Sequence, residues 1–234
     1  MKKRSVINTI GIYILIIVCV LAMAYGTSVA TTTVANMIPV EREQTIIIDA
    51  GHGGVDGGAT SCTGILESKF NLDICLKLED LFHLLGYRTV MIRRTDISVY
   101  TSGETIAAKK VSDLRQRVKI VKEAENPLLI SIHQNTFSDE QYAGAQVFYG
   151  PEGDGKALAE KLQQAFLQIL NPGSNRAAKK ADGVYLMQHI DCTGVLIECG
   201  FLSNHEEEAK LRSDDYQRKL CCVIGTVTAG FLTK

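Results

Sequence analysis

The chain has 234 residues, and 46% of them are hydrophobic, which is enough for one domain of ordinary size with a full core. Charged residues make up 22% of the chain and the formal net charge is −1, so it lacks the basic signature of a nucleic-acid-binding protein. Lys2, Lys3 and Arg4 carry all the charge before Glu41, so the remainder is mildly acidic and is not expected to capture a polyanion.

The N-terminal segment has the layout of an export signal. Three basic residues precede an apolar run from about Ile10 to Tyr25, and stretches of small residues suited to cleavage follow it. The run is shorter than the ~20 residues that comfortably span a bilayer, which favours a cleaved signal, although an uncleaved membrane anchor stays open. We therefore predict a signal or anchor with a short tether over residues 1–35, a linker over 36–44, and a folded domain over 45–234 that works outside the cytoplasm.

From Thr45 onward, apolar strands alternate with amphipathic helices. The predicted strands cover residues 45–48, 88–92, 128–133, 145–149, 184–187 and 195–198, and the predicted helices cover 74–85, 114–121, 156–170 and 214–231. This alternation predicts an α/β fold: a single layered domain with a twisted, mostly parallel or mixed sheet and helices on both faces. Ligands of such sheets bind outside the carboxyl ends of the strands.

Polar residues with metal-binding chemistry lie at those strand ends. His52 follows the first strand inside the run Asp49-Ala50-Gly51-His52-Gly53-Gly54, and His133 ends the strand through Ile132. Glu67 opens a helix and could supply a carboxylate, although Asp49 and Asp56 compete for that role and Glu67 could instead be a first-turn helix acid. Two histidines and one carboxylate form a known ligand set of hydrolytic zinc sites, with a fourth position left for water.

Glu198 is the candidate general base. It follows Val195-Leu196-Ile197 at the edge of the core, where desolvation raises the pKa of a carboxyl group towards neutrality. Arg115 and Arg117 share a helix, and we expect ion pairing from them more than binding of a substrate carboxylate. The glycines after His52 are not followed by Gly-Lys-Ser/Thr, which excludes a phosphate-binding loop of the P-loop type.

The remaining histidines and the cysteines carry weaker signals. His83 is expected on a helix surface and His205 at a solvated helix start (His205–Glu208), while His189 is undecided. Cys75, Cys221 and Cys222 are interpreted as small packing residues, Cys62 is unexplained, and a structural disulfide is not favoured.

Four runs of the chain resemble the zinc-dependent N-acetylmuramoyl-L-alanine amidases of bacterial cell walls. They are Asp49–Gly54, Glu67-Ser68-Lys69, Ser131–Asn135 and Ile197–Asn204, and together they span most of residues 45–234. Further runs at 113–119, 144–146 and 183–188 are similar to the spore-cortex amidases of endospore formers, which act with a deacetylase to form muramic-δ-lactam. Cys199, where an aliphatic residue is usual, and Thr136, where many members have Ala, depart from the family pattern.

The resemblance implies Zn²⁺ as cofactor, with His52, Glu67 and His133 as its ligands and Glu198 as the catalytic glutamate. It further implies a catalytic domain that hydrolyses the amide between the lactyl group of N-acetylmuramic acid and L-alanine. The expected partner is peptidoglycan, together with a possible accessory protein of unknown identity. The expected location is the cell wall, the outer face of the membrane, or the forespore intermembrane space. Two alternatives are zinc cleavage of another amide and a non-catalytic peptidoglycan-binding or regulatory protein.

Overall fold

The computed structural model describes residues 17–18, 20–23 and 42–233. Residues 17–18 and 20–23 are helical and belong to a first unit, Met1–Val40, while the rest belongs to a second unit, Glu41–Lys234. Most of the predicted signal or anchor (1–35) and linker (36–44) lies outside the described residues, but residues 42–44 already belong to the first strand of the sheet, so the predicted start of the domain at Thr45 is three residues late. Within the described ranges, no helix is both long and apolar enough to cross a membrane.

The second unit contains six strands and six helices within its described part. The strands are β1 (Arg42–Ala50), β2 (Tyr87–Met91), β3 (Pro127–Asn135), β4 (Gln146–Tyr149), β5 (Lys179–Lys180) and β6 (Gly194–Phe201). The helices are α1 (Glu67–Leu84), α2 (Ile106–Glu123), α3 (Gly155–Ile169), α4 (Tyr185–His189), α5 (His205–Arg212) and α6 (Asp214–Leu232). The sheet order is β2-β1-β3-β6-β4-β5, and only the β4–β6 pair is antiparallel. The predicted α/β fold with a mixed sheet is confirmed.

One predicted strand is wrong. Residues 184–187 lie at the start of the short helix α4, and the edge of the sheet is formed instead by the two residues of β5. Leu186 and Met187 are buried in the core on that face. A short apolar run has the same composition in a buried strand and in a buried helical turn, so its pattern alone does not distinguish them.

Apolar side chains cover both faces of the sheet. In β1, Ile46 and Ile48 pack into the larger core with α1, α3 and α6, whereas Ile47 packs into a smaller core with α2 and α4. All three are completely buried. Burial on both faces explains why these strands read as continuous apolar runs without a polar alternate residue.

The register of the parallel strands brings their polar ends to one edge of the sheet. Asp49 of β1 lies beside Ser131 of β3, and His133 of β3 lies beside Glu198 of β6. The carboxyl ends of β1, β3 and β6 therefore lie side by side, at the edge of the sheet where α/β proteins bind ligands.

The cysteine predictions are confirmed in part. Cys75 and Cys221 are buried, but Cys222 is exposed, because consecutive residues of a helix point about 100° apart and only one of them can face the core. The six cysteines at and beyond Cys62 are all free, whereas Cys19 lies outside the described residues.

A buried ion pair fastens α2 to the end of β1. Arg117 of α2 pairs with Asp49, and its Nε donates to Asp113 Oδ2 at 2.6 Å. The hydroxyl of Ser131 donates to the second oxygen of Asp49 at 2.6 Å. Although burial opposes ionisation, Arg117 and Ser131 lower the pKa of Asp49. The expected ion-pairing role is confirmed for Arg117, and Asp49 is occupied by these partners.

Replacement of Arg117 by methionine should destabilise the fold by about 3–5 kcal/mol, because it leaves the Asp49 charge buried without a partner. The matched variant Arg115→Met removes an exposed arginine from the same helix and should change stability by less than about 0.5 kcal/mol. Denaturant unfolding of both variants measures this, and equal midpoints would contradict the structural role of the pair.

Candidate metal centre and active site

His52 is held in an uncommon backbone conformation at the exit of β1. Its φ is +60°, in the left-handed region that few non-glycine residues adopt. Arg117 donates to its carbonyl oxygen at 2.8 Å, which ties the loop to the buried ion pair. The imidazole Nε2 lies 3.3 Å from Oε2 of Glu67, and Nδ1 lies 3.1 Å from Oδ2 of Asp56.

Glu67, the first residue of α1, is a buried carboxylate surrounded by donors. Its Oε1 accepts from the backbone N–H of Gln134 at 3.1 Å and from the side-chain amide of Asn71 at 3.2 Å. Its Oε2 accepts from the backbone N–H of Ala59 at 3.0 Å. Burial alone would raise the pKa of Glu67, but hydrogen bonding and charge from His133 and His52 lower it well below its usual range. The carboxylate is therefore fixed and ionised.

His133, on β3, completes the group. Its Nδ1 lies 3.1 Å from Oε1 of Glu67, and its ring centroid lies 5.0 Å from that of His52. Gly51 leaves the room for this ring, because a β-carbon at Gly51 would lie 2.3 Å from ring atoms of His133. A glycine is therefore required at the end of β1 for steric reasons.

These three side chains converge on one point. One ligand atom each of His52, Glu67 and His133 lie within 4.8 Å of one another, so the trio could hold a divalent metal. Asp56 stands behind His52 and pairs with Lys110 at 3.0 Å. When a histidine binds a metal through one ring nitrogen, a carboxylate beside the other nitrogen fixes the tautomer and the orientation of the imidazole. Asp56 lies beside Nδ1 of His52 in this way. The arrangement places Glu67 at the centre and Asp56 outside it, whereas the sequence left both candidates open.

Glu198 lies beside this group without being anchored. Its Cα pairs with that of His133 across β3 and β6, and its Oε2 is buried with no hydrogen-bond partner among the described residues. Burial raises the pKa of Glu198 to about 7, with a smaller opposing effect of His133. A buried carboxyl group that shares its proton near neutrality has the chemistry of a general acid and base.

One residue that supports the site, Arg93, is not indicated by any pattern in the sequence. Arg93, just after β2, is buried and donates to the carbonyl oxygens of Ala50, Gly51 and Ser68 at 2.8–3.0 Å. It thereby holds the end of β1 against the start of α1. Its position after a strand of the parallel sheet was the available clue, but an arginine there is equally typical of an exposed loop.

The other histidines do not join the group. His83, His189 and His205 are exposed, and His189 contacts Tyr185 of its own short helix, through that residue's carbonyl oxygen at 2.8 Å and by ring stacking. The expectation of a solvated start for α5 is confirmed for His205 and Glu206, which are exposed, and is wrong for Glu207 and Glu208, which are buried. Glu207 accepts from the backbone N–H groups of Gly144 and Phe201, and Glu208 accepts from Ser61 and Thr63.

Two imidazoles, a fixed carboxylate and a further acid at the carboxyl ends of parallel strands match the set of side chains that metal-dependent hydrolases use. Residues 46–226 match the family model described as N-acetylmuramoyl-L-alanine amidase. The chain therefore belongs to the N-acetylmuramoyl-L-alanine amidase family, and the predicted amidase activity is confirmed.

Relatives and solved structures agree with this assignment. The germination-specific N-acetylmuramoyl-L-alanine amidase of Bacillus subtilis is 36% identical over 181 residues, which cover 76% of each chain. The CwlD amidase of Clostridioides difficile, solved in complex with the GerS lipoprotein, has a TM-score of 0.77 and 35% identity over 81% of this chain and 98% of that one. The amidase AmiC2 of Nostoc punctiforme has a TM-score of 0.69 and 25% identity over 83% of this chain and all of that one.

Replacement of Gly51 by alanine should weaken binding of a divalent metal at least about tenfold, because the new methyl group displaces the ring of His133. The matched variant Gly230→Ala places a methyl group where no atom lies within 4 Å, and it should leave metal affinity unchanged. Competition with a chromogenic chelator measures both affinities. Equal affinities in the two folded variants would show that the close approach at Gly51 does not shape the site.

The raised pKa of Glu198 predicts a pH-dependent stability cost in the metal-free protein. Since its pKa is higher in the folded state, its contribution is fully present below the ordinary pKa of a glutamate and is lost as the pH rises through about 7. Relative to the unmutated chain, Glu198→Gln should gain roughly 1–3 kcal/mol of stability between pH 5 and pH 8. Unfolding curves across this range test it, with Glu104→Gln, an exposed loop acid, as the control. A constant difference would refute the raised pKa.

Proposed function

We propose that the chain hydrolyses the amide between the lactyl group of N-acetylmuramic acid and L-alanine of peptidoglycan, using zinc held by His52, Glu67 and His133. The observation that carries this proposal is the convergence of their three ligand atoms within 4.8 Å, beside a buried carboxyl oxygen of Glu198 that has no partner among the described residues. Two nitrogen donors and one carboxylate suit zinc and leave a coordination position open. Zinc, when bound, would polarise the lactyl carbonyl and acidify the attacking water.

The protein's own groups supply orientation and proton transfer. Glu67 is held by Asn71 and by two backbone N–H groups, so the ligand set is assembled in advance. Glu198 is the proposed base: it removes a proton from the attacking water and returns it to the departing alanine nitrogen. Its pKa near 7 allows both transfers at neutral pH. The product is a muramic acid carboxylate and a stem peptide with a free alanine amino group.

The proposed setting is the spore cortex, because the similar relative from Bacillus subtilis is named germination-specific. There the reaction would expose the lactyl group for formation of muramic-δ-lactam. We further propose that residues 1–35 direct export or anchor the chain, that the segment after them, up to the start of β1 at Arg42, links them to the catalytic domain, and that the enzyme works at the cell wall or in the forespore intermembrane space. The complex of the similar CwlD amidase with a lipoprotein supports an accessory partner for this chain.

Replacement of Glu198 by glutamine should lower the rate of alanine amino-terminus release from purified peptidoglycan at least about a hundredfold, because the base is lost. Zinc content should stay unchanged, since Glu198 is outside the proposed ligand set. The control Glu104→Gln should retain full activity. Near-normal turnover by the Glu198 variant would refute the role of Glu198, and zinc binding without amine release by the unmutated chain would refute the proposed amide as its substrate.

A further inference from the structure

A cavity lies beside β4, the strand that neighbours β6 and Glu198. It has a volume of about 1010 Å³ and is formed by the loop before β4, the segment that follows α3, and two residues of α5, Glu207 and Lys210. None of the three proposed metal ligands and neither oxygen of Glu198 lines it, so it is separate from the metal centre. Its floor includes Gln146, the first residue of β4.

The cationic side chains of this cavity form no ion pairs with acids of the described residues. Arg176, Lys179 and Lys210 line it, and none of them forms an ion pair with an acid in the described part of the chain. The lining acid Glu207 is buried and directs Oε2 to two backbone N–H groups, while Asp139 accepts from the N–H of Gln141. The cavity therefore holds three cationic and two acidic side chains, and backbone N–H groups donate to both acids.

Arg176 is oriented by three contacts. Its Nε donates to the carbonyl of Ala143 and its Nη1 to Oε1 of Gln146, both at 2.8 Å, and its guanidinium carbon lies 4.7 Å from the centre of the Phe201 ring. These hydrogen bonds use two of the five N–H donors of a guanidinium. The other three, on Nη1 and Nη2, have the fork geometry that binds a carboxylate through two parallel hydrogen bonds.

The sheet register fixes how far Arg176 lies from the reaction. Gln146 pairs with Glu198 across β4 and β6, so their side chains leave the same face of the sheet about 5 Å apart. The Gln146 side chain extends away from the strand and accepts a hydrogen bond from Arg176, which places the Arg176 guanidinium on the order of 10 Å from Glu198. Two residues of an extended peptide span roughly 7 Å, and a hydrogen bond adds about 3 Å. The carboxylate of the second residue of a stem peptide is therefore within reach of this guanidinium when the scissile amide lies beside Glu198.

We propose that this cavity is a binding subsite for the stem peptide, in which Arg176 binds the carboxylate of the residue after L-alanine. That residue is a glutamate linked through its γ-carboxyl group, so its α-carboxylate is free unless it is amidated. This inference rests on the proposed amidase function and adds a specificity: the enzyme selects stems with a free α-carboxylate. Lys179 and Lys210 add favourable long-range charge, and Gln146 links the subsite to the strand that neighbours Glu198.

The test compares two muropeptides that differ only at that position, one with the free α-carboxylate and one with the amide. The intact, zinc-loaded chain should cleave the carboxylate form with a kcat/KM about tenfold higher, mainly through a lower KM. Arg176→Gln should reduce cleavage of the carboxylate form to the level of the amide form and leave the amide form within about threefold. Arg176→Lys should keep part of the preference, because it retains the charge but not the fork.

Arg218→Gln is the matched control, since it removes one exposed arginine of α6 that pairs with Asp214 and does not line the cavity. It should keep the full preference. If Arg176 merely supports the loop before β4, Arg176→Gln will slow both substrates equally and keep their ratio, which would overturn the subsite. Equal cleavage of both substrates by the unmutated chain would also overturn it while leaving the amidase intact. Cleavage of neither would overturn the proposed function, and the subsite with it.

Discussion

A buried negative charge at Glu67 is the constraint on which the rest of the site depends. Removing a carboxylate from water is costly unless its oxygens find donors, and here an amide side chain, two backbone N–H groups and two imidazoles surround it. Those donors come from the loop after β1, from the end of β3 and from α1 itself. Satisfying one charge therefore brings three separate parts of the chain into a fixed relation, which is the relation that a metal site needs.

The sheet supplies the frame for this charge. Parallel strands β1, β3 and β6 end at the same edge of the sheet. Two buried arginines, Arg93 and Arg117, hydrogen-bond to backbone carbonyls at that edge. Arg117 neutralises Asp49 and holds the carbonyl of His52, while Arg93 holds the carbonyls of Ala50 and Gly51. On the other side, the buried acids of α5 bind the loops around Ser61 and Gly144. The site is thus rigid at its ligands and supported on both flanks.

The freedom left to Glu198 contrasts with this rigidity. It is half-buried next to the ligand group, and its buried oxygen Oε2 has no hydrogen-bond partner in the described part of the chain. Such a group costs stability in the resting protein, and proteins tolerate this cost where chemistry requires it. A carboxyl oxygen that no donor holds in place can accept a proton from water and release it again.

The sequence was sufficient for the fold class and for the placement of His52, His133 and Glu198, because continuous apolar runs mark buried parallel strands and polar residues at their ends share an edge. It was insufficient where a feature depends on three-dimensional packing. The helix through Met187 was mistaken for a strand because a short apolar run fits both. The burial of Glu207 and the cavity around Arg176 could not be predicted, since each depends on loops that meet only in the folded chain.

The most direct test of the central claim is to locate the bond that is hydrolysed, by digesting peptidoglycan in ¹⁸O-labelled water and analysing the fragments by mass spectrometry. The account predicts one ¹⁸O atom in the lactyl carboxylate of muramic acid and an unlabelled stem peptide with a free alanine amino terminus. Label in a carboxyl group of the peptide, or release of the peptide without label in the lactyl group, would contradict it.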